Sequence, residues 1–227
     1  MNYTSSYLYG FQRINSIYLG VFMLLFSHFA VVAKSQEINP GLLLDKKVNM
    51  TLYNVNVWNA LNSLSFRAKM PIGFIGARGE KGIAKKICVQ VEQKPVREVL
   101  DEIVRLDGRY RWEIINGIVN VVPISQEELA ELKIGFLKLS DTELGDIGSA
   151  ILDAPDVYAS LIKLNKQKTE ELDYSGPSAM KTKVSFVLSD TTIRNGLNTL
   201  LRERLARFWS FEILGENDEL IRILLLD

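Results

Sequence analysis

One pattern occurs four times in this chain: an alternating strand, then an apolar stripe at helical spacing. The stripes are Val57, Ala60, Leu61, Leu64; Val96, Val99, Leu100, Ile103; Leu144, Ile147, Gly148, Ile151; and Ile193, Gly196, Leu197, Leu200. Spacing of i, i+3, i+4, i+7 places each set on one face of a helix. Nine, seven and five residues upstream stand Val48, Met50, Leu52; Ile87, Val89, Val91; Gly135, Leu137, Leu139; and Val184, Phe186, Leu188. Such alternation lines one face of a strand, and only Gly135 breaks the apolar rule. The copies start 39, 48 and 49 residues apart, too uneven for a solenoid, whose repeats must stack identically. The expected fold is therefore α+β. It has two small modules, each built from paired β-α-β units, with helices packed on one face of a short, mainly antiparallel sheet.

The second copy is the clearest. Pro95 opens its helix at a position where the missing N–H costs nothing. Asp107-Gly108 ends that helix. Tyr110, Trp112 and Ile114 alternate, Asn116-Gly117 makes a turn, and Ile118 to Val122 returns. Asn-Gly between two such runs is a strong hairpin signal.

Residues 1–33 read as a secretory signal. Ile17 to Ala33 is almost wholly apolar, Arg13 is the only charge before Lys34, and Val31 and Ala33 suit a cleavage site. The alternatives are an uncleaved N-terminal transmembrane anchor and a cytoplasmic protein. The expected location is periplasmic or secreted, with membrane contact only through an uncleaved N-terminal segment. Residues 34–46 form a linker with the turn signal Asn39-Pro40-Gly41. Module one spans 47–124 and includes a strand Pro71 to Ile75. A connector, possible helix included, covers 125–133. Module two spans 134–227, with a mobile loop at 165–182 and no assignment for Val157 to Leu164. The expected helix caps are Asn54 or Asn56, Asp141, and Ser189 or Asp190. Asp153 to Asp156, with Pro155, is expected to stop the third helix. The closing run Leu220 to Leu226 is nearly all apolar, so it is buried on both faces or awaits a partner.

Module one resembles the secretin and TonB short N-terminal domain. The resemblance rests on Val48-Asn49-Met50-Thr51-Leu52-Tyr53-Asn54-Val55-Asn56-Val57-Trp58-Asn59-Ala60-Leu61, on Ile87 to Val91, on Lys94 to Asp101, and on the hairpin Tyr110 to Pro123. Residues 134–227 resemble it only as a diverged second copy, and the family's outer-membrane barrel does not follow. The resemblance implies a stand-alone, non-enzymatic contact module of the cell envelope. The implied partners are envelope proteins: a secretin, a pilus component or a TonB-system protein.

Charge supports no nucleic-acid role, because 27 basic and 27 acidic residues cancel. A rival reading nonetheless exists in Gly76-Ala77-Arg78-Gly79, which matches the GxxG loop that clamps backbone phosphates in KH domains. There the loop joins two helices, whereas here strands are expected on both sides. The only histidine, His28, lies in the leader, and Cys88 stands alone. A mature chain without histidine cannot assemble Ser-His-Asp or Cys-His catalysis. No catalytic, cofactor or metal site is expected, and Cys88 reads as structural. Glu98, Asp101 and Glu102 read as a solvated helix face, with Glu98–Glu102 and Asp101–Arg105 at i, i+4. The candidate partner-contact residues are Trp58, Arg78, Lys81, Leu224 and Leu226. A third reading is an envelope ligand-binding module using Tyr110, Trp112, Trp209 and Phe211, which would show a concave aromatic groove.

Overall fold

Each of the four strands bends into its helix through one residue of positive φ, always three positions before the stripe. These are Asn54 (55°), Gln93 (50°), Asp141 (53°) and Asp190 (46°). Asn and Asp tolerate the left-handed region because a short polar side chain bonds locally. This kink, invisible to apolar periodicity, is the fourfold repeat's second signature. It also settles the first expected cap on Asn56 and corrects the other two. Asp141 and Asp190 kink the chain, and the caps sit one residue before each stripe. Asn56 Oδ1 accepts from Asn59 N–H at 2.8 Å, and Thr192 Oγ1 accepts from Asn195 N–H at 3.3 Å. Pro95 ends a strand and occupies the cap position itself.

The computed structural model describes residues 40–77, 85–124, 128–168, 182–214 and 220–226. All belong to one compact unit, Ile38–Asp227. The proposed leader, Arg78, Lys81 and most of the 165–182 loop lie outside the described residues. No helix among the described residues is long and apolar enough to cross a membrane.

The first half contains α1 (Pro40–Leu44), β1 (Lys47–Val55), α2 (Val57–Ala68), β2 (Ile72–Ile75), β3 (Ile87–Pro95), α3 (Val96–Leu106), β4 (Tyr110–Ile115) and β5 (Ile118–Pro123). The second contains β6 (Lys133–Glu143), α4 (Ile147–Leu152), α5 (Pro155–Lys163), β7 (Gln167–Lys168), β8 (Lys183–Thr192), α6 (Ile193–Arg202), β9 (Phe208–Leu214) and β10 (Leu220–Leu226). Two expectations change here. The linker's turn signal starts α1, whose Leu44 is buried. The third stripe begins in a short 3-10 turn, Leu144–Asp146. The third helix ends at Leu152, as Asp153 to Asp156 predicts, and Pro155 then starts α5 through the stretch left unassigned, since proline fits a helix's first turn. The connector carries a 3-10 turn, Glu128–Glu131.

The fold is α+β, with two small antiparallel sheets and one mixed sheet. β1 pairs antiparallel with β3, and β6 with β8. The remaining strands form one six-stranded sheet, β4-β5-β2-β9-β10-β7. The halves therefore do not build separate sheets. They meet where β2 runs parallel to β9, with Ile72 beside Phe208 and Ile75 beside Phe211.

The two faces of this sheet are covered by different halves. Ile72, Phe74, Val119, Val121 and Phe208 join the core of α2 and α3. Their alternates Ile75, Ile118, Val122, Trp209 and Phe211 join the core of α4, α5 and α6. Strand order is retained between halves, strand direction is reversed, and the helix layer changes sides. The second half thus follows from the first by a half-turn about the sheet's lateral direction plus a shift along it. Such an operation is heterologous and does not close on itself.

Small residues let the helices seat. A Cβ on Gly148 of α4 would overlap the Ile223 carbonyl oxygen, and one on Gly196 of α6 would come within 3.0 Å of Leu188 Cδ1. The two glycines that interrupt the apolar stripes are thus sites of close helix–sheet approach. β10 lies inside the sheet, with Ile221, Ile223 and Leu225 buried and Leu220, Arg222, Leu224 and Leu226 half-buried on the other face.

Candidate functional site

The β4 edge and a cavity beside the β2–β9 join are open to a partner. β4 ends the sheet. Arg109 and Ile124 bond across the hairpin through Ile124 N–H to the Arg109 carbonyl, 2.8 Å, and pairing then runs Arg111–Val122, Glu113–Asn120 and Ile115–Ile118. Because bonded and non-bonded pairs alternate, the backbone groups of Trp112 and Ile114 point away from β5, toward no described strand. Ile114 is 44% exposed and Trp112 is half-buried, its Nε1 donating to Asp101 Oδ1 at 2.7 Å. Arg111 and Glu113 pair with each other at 2.7 Å on the opposite face. Glu113 also binds Arg194 of α6 at 3.2 Å.

The cavity has a volume of about 370 Å³. Its walls come from the start of α2 (Asn56, Val57, Trp58), the end of β2 and the residues after it (Phe74, Gly76, Ala77), and Arg109-Tyr110. Across the join, β9 and β10 supply Glu212, Ile213, Leu214, Arg222 and Leu224, and Lys85 completes the described rim. The site falls at the carboxyl ends of two parallel strands, β2 and β9, where open sheets leave room for ligands.

Polar groups on these walls are mostly donors. Trp58 packs edge-on against Phe208, centroids 5.8 Å apart, and its Nε1 is buried with no acceptor among the described residues. Tyr110 Oη accepts from Ala77 N–H at 3.1 Å, and its own proton meets no described acceptor. Burial, the largest influence, pushes the Tyr110 phenol above its ordinary range and keeps it protonated. Arg109 donates to buried Asp107 through Nε at 2.8 Å and Nη2 at 2.6 Å. Arg222 donates to Glu212 through Nε at 3.2 Å and through Nη2. Lys85 makes no hydrogen bond or ion pair among the described residues, although its charge helps hold the Asp107 carboxyl low.

The structure brings Trp58 and Leu224 together on these walls and puts Leu226 nearby in the first-half core, its carbonyl accepting from Arg207 N–H at 2.8 Å. Arg78 and Lys81 lie outside the described residues. The GxxG stretch begins after a strand, with Gly76 N–H bonded to the Phe211 carbonyl at 2.8 Å, and the chain next forms strand β3. Of the four paired aromatics, Trp209 and Phe211 are fully buried and only Tyr110 lines the cavity. Cys88 is an exposed free thiol. The helix-face acids pair differently from the expected spacing. Glu98 takes Lys94 at 2.8 Å, Glu102 takes Arg105 at 2.7 Å, and Asp101 takes Trp112. Sequence reasoning missed Arg109, Glu212 and Arg222 as site residues. Charges near a turn give no periodic signal, and only the β2–β9 join brings them together.

No family model matches this chain, and no curated protein sequence matches it.

Proposed function

We propose that this chain is a non-enzymatic contact module of the cell envelope that takes up a strand of a partner protein along β4. The resemblance of residues 47–124 to the secretin and TonB short N-terminal domain supports the setting. A secretin, a pilus component or a TonB-system protein is the partner class. Exported, periplasmic or secreted placement belongs to the same reading.

One observation carries it. The molecule's own halves are joined by edge-to-edge strand pairing, β2 to β9, and the sheet they build ends in a strand whose outward backbone groups meet no described partner. Backbone bonds supply affinity in strand addition, and side chains supply selection. On β4 the half-buried Trp112 and exposed Ile114 are available to pack against an incoming strand. The Arg111–Glu113 pair discourages indiscriminate pairing, as charges do on natural edges.

The test is crosslinked affinity capture from envelope fractions with a C-terminal tag, comparing the parent with Ile114→Pro and Ile114→Thr. Proline removes one outward N–H while threonine keeps it. The expected result is a captured envelope protein lost with Ile114→Pro and kept with Ile114→Thr, at similar melting temperatures. N-terminal sequencing of the recovered chain should start near Lys34. Full capture by folded Ile114→Pro would rule out strand addition at β4. Recovery of an unprocessed cytoplasmic form carrying nucleic acid would overturn the setting as well.

A further inference from the structure

The cavity at the β2–β9 join is separate from the β4 edge in what it offers a ligand. Apart from Asn56 and Glu212, its described polar side chains are donors without acceptors (Trp58 Nε1, Tyr110 Oη–H) or cations (Lys85, Arg109, Arg222). The only carboxylate among the described wall residues, Glu212, is already bonded twice to Arg222. The rest of the wall is aliphatic and aromatic: Val57, Phe74, Ile213, Leu214 and Leu224. A buried donor left unpaired is destabilising, so Trp58 Nε1 gains from any acceptor brought to it. A volume of about 370 Å³ lies within the range of small-molecule sites.

We infer that this cavity binds an amphipathic carboxylate, its apolar body lying against Phe74, Leu214 and Leu224 and its carboxylate against Lys85 and the Trp58 and Tyr110 donors. A single uncommitted ammonium with two neutral donors matches a monoanion. A phosphate dianion would need a second free cation, and both described arginines on the wall already hold carboxylates. A neutral lipid or sugar would leave the Lys85 charge unused. This inference does not depend on strand addition at β4, because its residues and chemistry differ.

The experiment is calorimetric titration of the full chain with decanoate and with decan-1-ol, which share an apolar body and differ in the head group. Decanoate should bind at least about tenfold more tightly, the effect of one charge-assisted hydrogen bond. Lys85→Met should bring decanoate down to the alcohol's affinity. Leu224→Trp should fill the cavity and abolish binding of both, and Leu214→Phe provides a smaller filler should the tryptophan variant fail to fold. Equal affinities of the acid and the alcohol would overturn the carboxylate assignment. Unchanged decanoate binding in a folded filled variant would overturn the site, and no detectable binding of either probe would overturn the inference.

Discussion

Gly73 lies against the indole of Trp209, its partner across the β2–β9 join. A Cβ built on Gly73 would overlap ring atoms Cε2 and Cζ2. The ring has little freedom to yield, since Trp209 is fully buried and its Nε1 donates to Asn198 Oδ1 at 3.0 Å. Gly73→Ala should therefore destabilise the fold by roughly 1–3 kcal/mol, the usual cost of overpacking. Urea unfolding reads this directly. Gly108→Ala is the control, because a Cβ there meets nothing within 4 Å. Equal midpoints for the two variants would show that the indole moves aside freely.

The four left-handed residues differ in how well they suit their backbone. Asn54, Asp141 and Asp190 do, but Gln93 at φ 50° does not. A left-handed conformation costs an ordinary side chain roughly 1–2 kcal/mol, less for Asn. Gln93→Asn should raise stability by a few tenths to about 1 kcal/mol, and Asp141→Val should lower it by about 1–2 kcal/mol. Thermal unfolding of both checks the claim. A stabilising Asp141→Val would show that the kink tolerates any residue.

Asp107 predicts the pH response. Burial raises its pKa, but the Arg109 hydrogen bonds and charge, helped by Lys85, outweigh burial and hold it below the ordinary carboxylate value. Its stabilisation is therefore complete above the unfolded-state value of about 4 and disappears as pH falls through the lower folded value. Asp107→Asn should be less stable than the parent at neutral pH. The gap should close in acid, below about pH 4, where the unfolded carboxyl gains its proton. A gap that stays constant across that window would remove Asp107 from the acid response.

Arg194 ties α6 to both the first half and the connector. Its side chain is 4% exposed and reaches Glu113 Oε1 at 3.2 Å and Glu131 Oε1 at 2.7 Å. Arg194→Met keeps much of the stem and removes both pairs, at an expected cost of about 1–3 kcal/mol. A double-mutant cycle with Glu113→Gln should return a coupling of at least about 0.5 kcal/mol. Strict additivity would mean the pair is geometric only.

Much of the architecture is legible in apolar spacing. Val96, Val99, Leu100 and Ile103 are buried together on α3, and Ile193, Leu197 and Leu200 repeat the arrangement on α6. Asn116-Gly117 turns the β4–β5 hairpin, with positive φ at both residues. The shared sheet is not legible, because the residues that make it look like ordinary core. Ile75 and Phe211 bear the same apolar signature whether they face their own helices or those of the other half. Pro155 is half legible: the segment around it ends the third helix at Leu152, but whether proline also starts a further helix depends on which neighbours are buried. The cavity is hidden for both reasons, since its walls combine scattered charges with residues meeting only across the join.

The position of β9 beside β2 has a consequence for how the polypeptide reaches its native state. Residue 72 must wait for residue 208, so nearly every described residue is synthesised before the sheet can be completed. Until then β2 presents a naked margin and the first-half strands lack the helices of their second covering layer. Contacts this distant along the chain slow folding and prolong exposure of sticky surfaces. A nascent first half is therefore a species in need of protection, and deleting the final hairpin would strand every molecule in that vulnerable form.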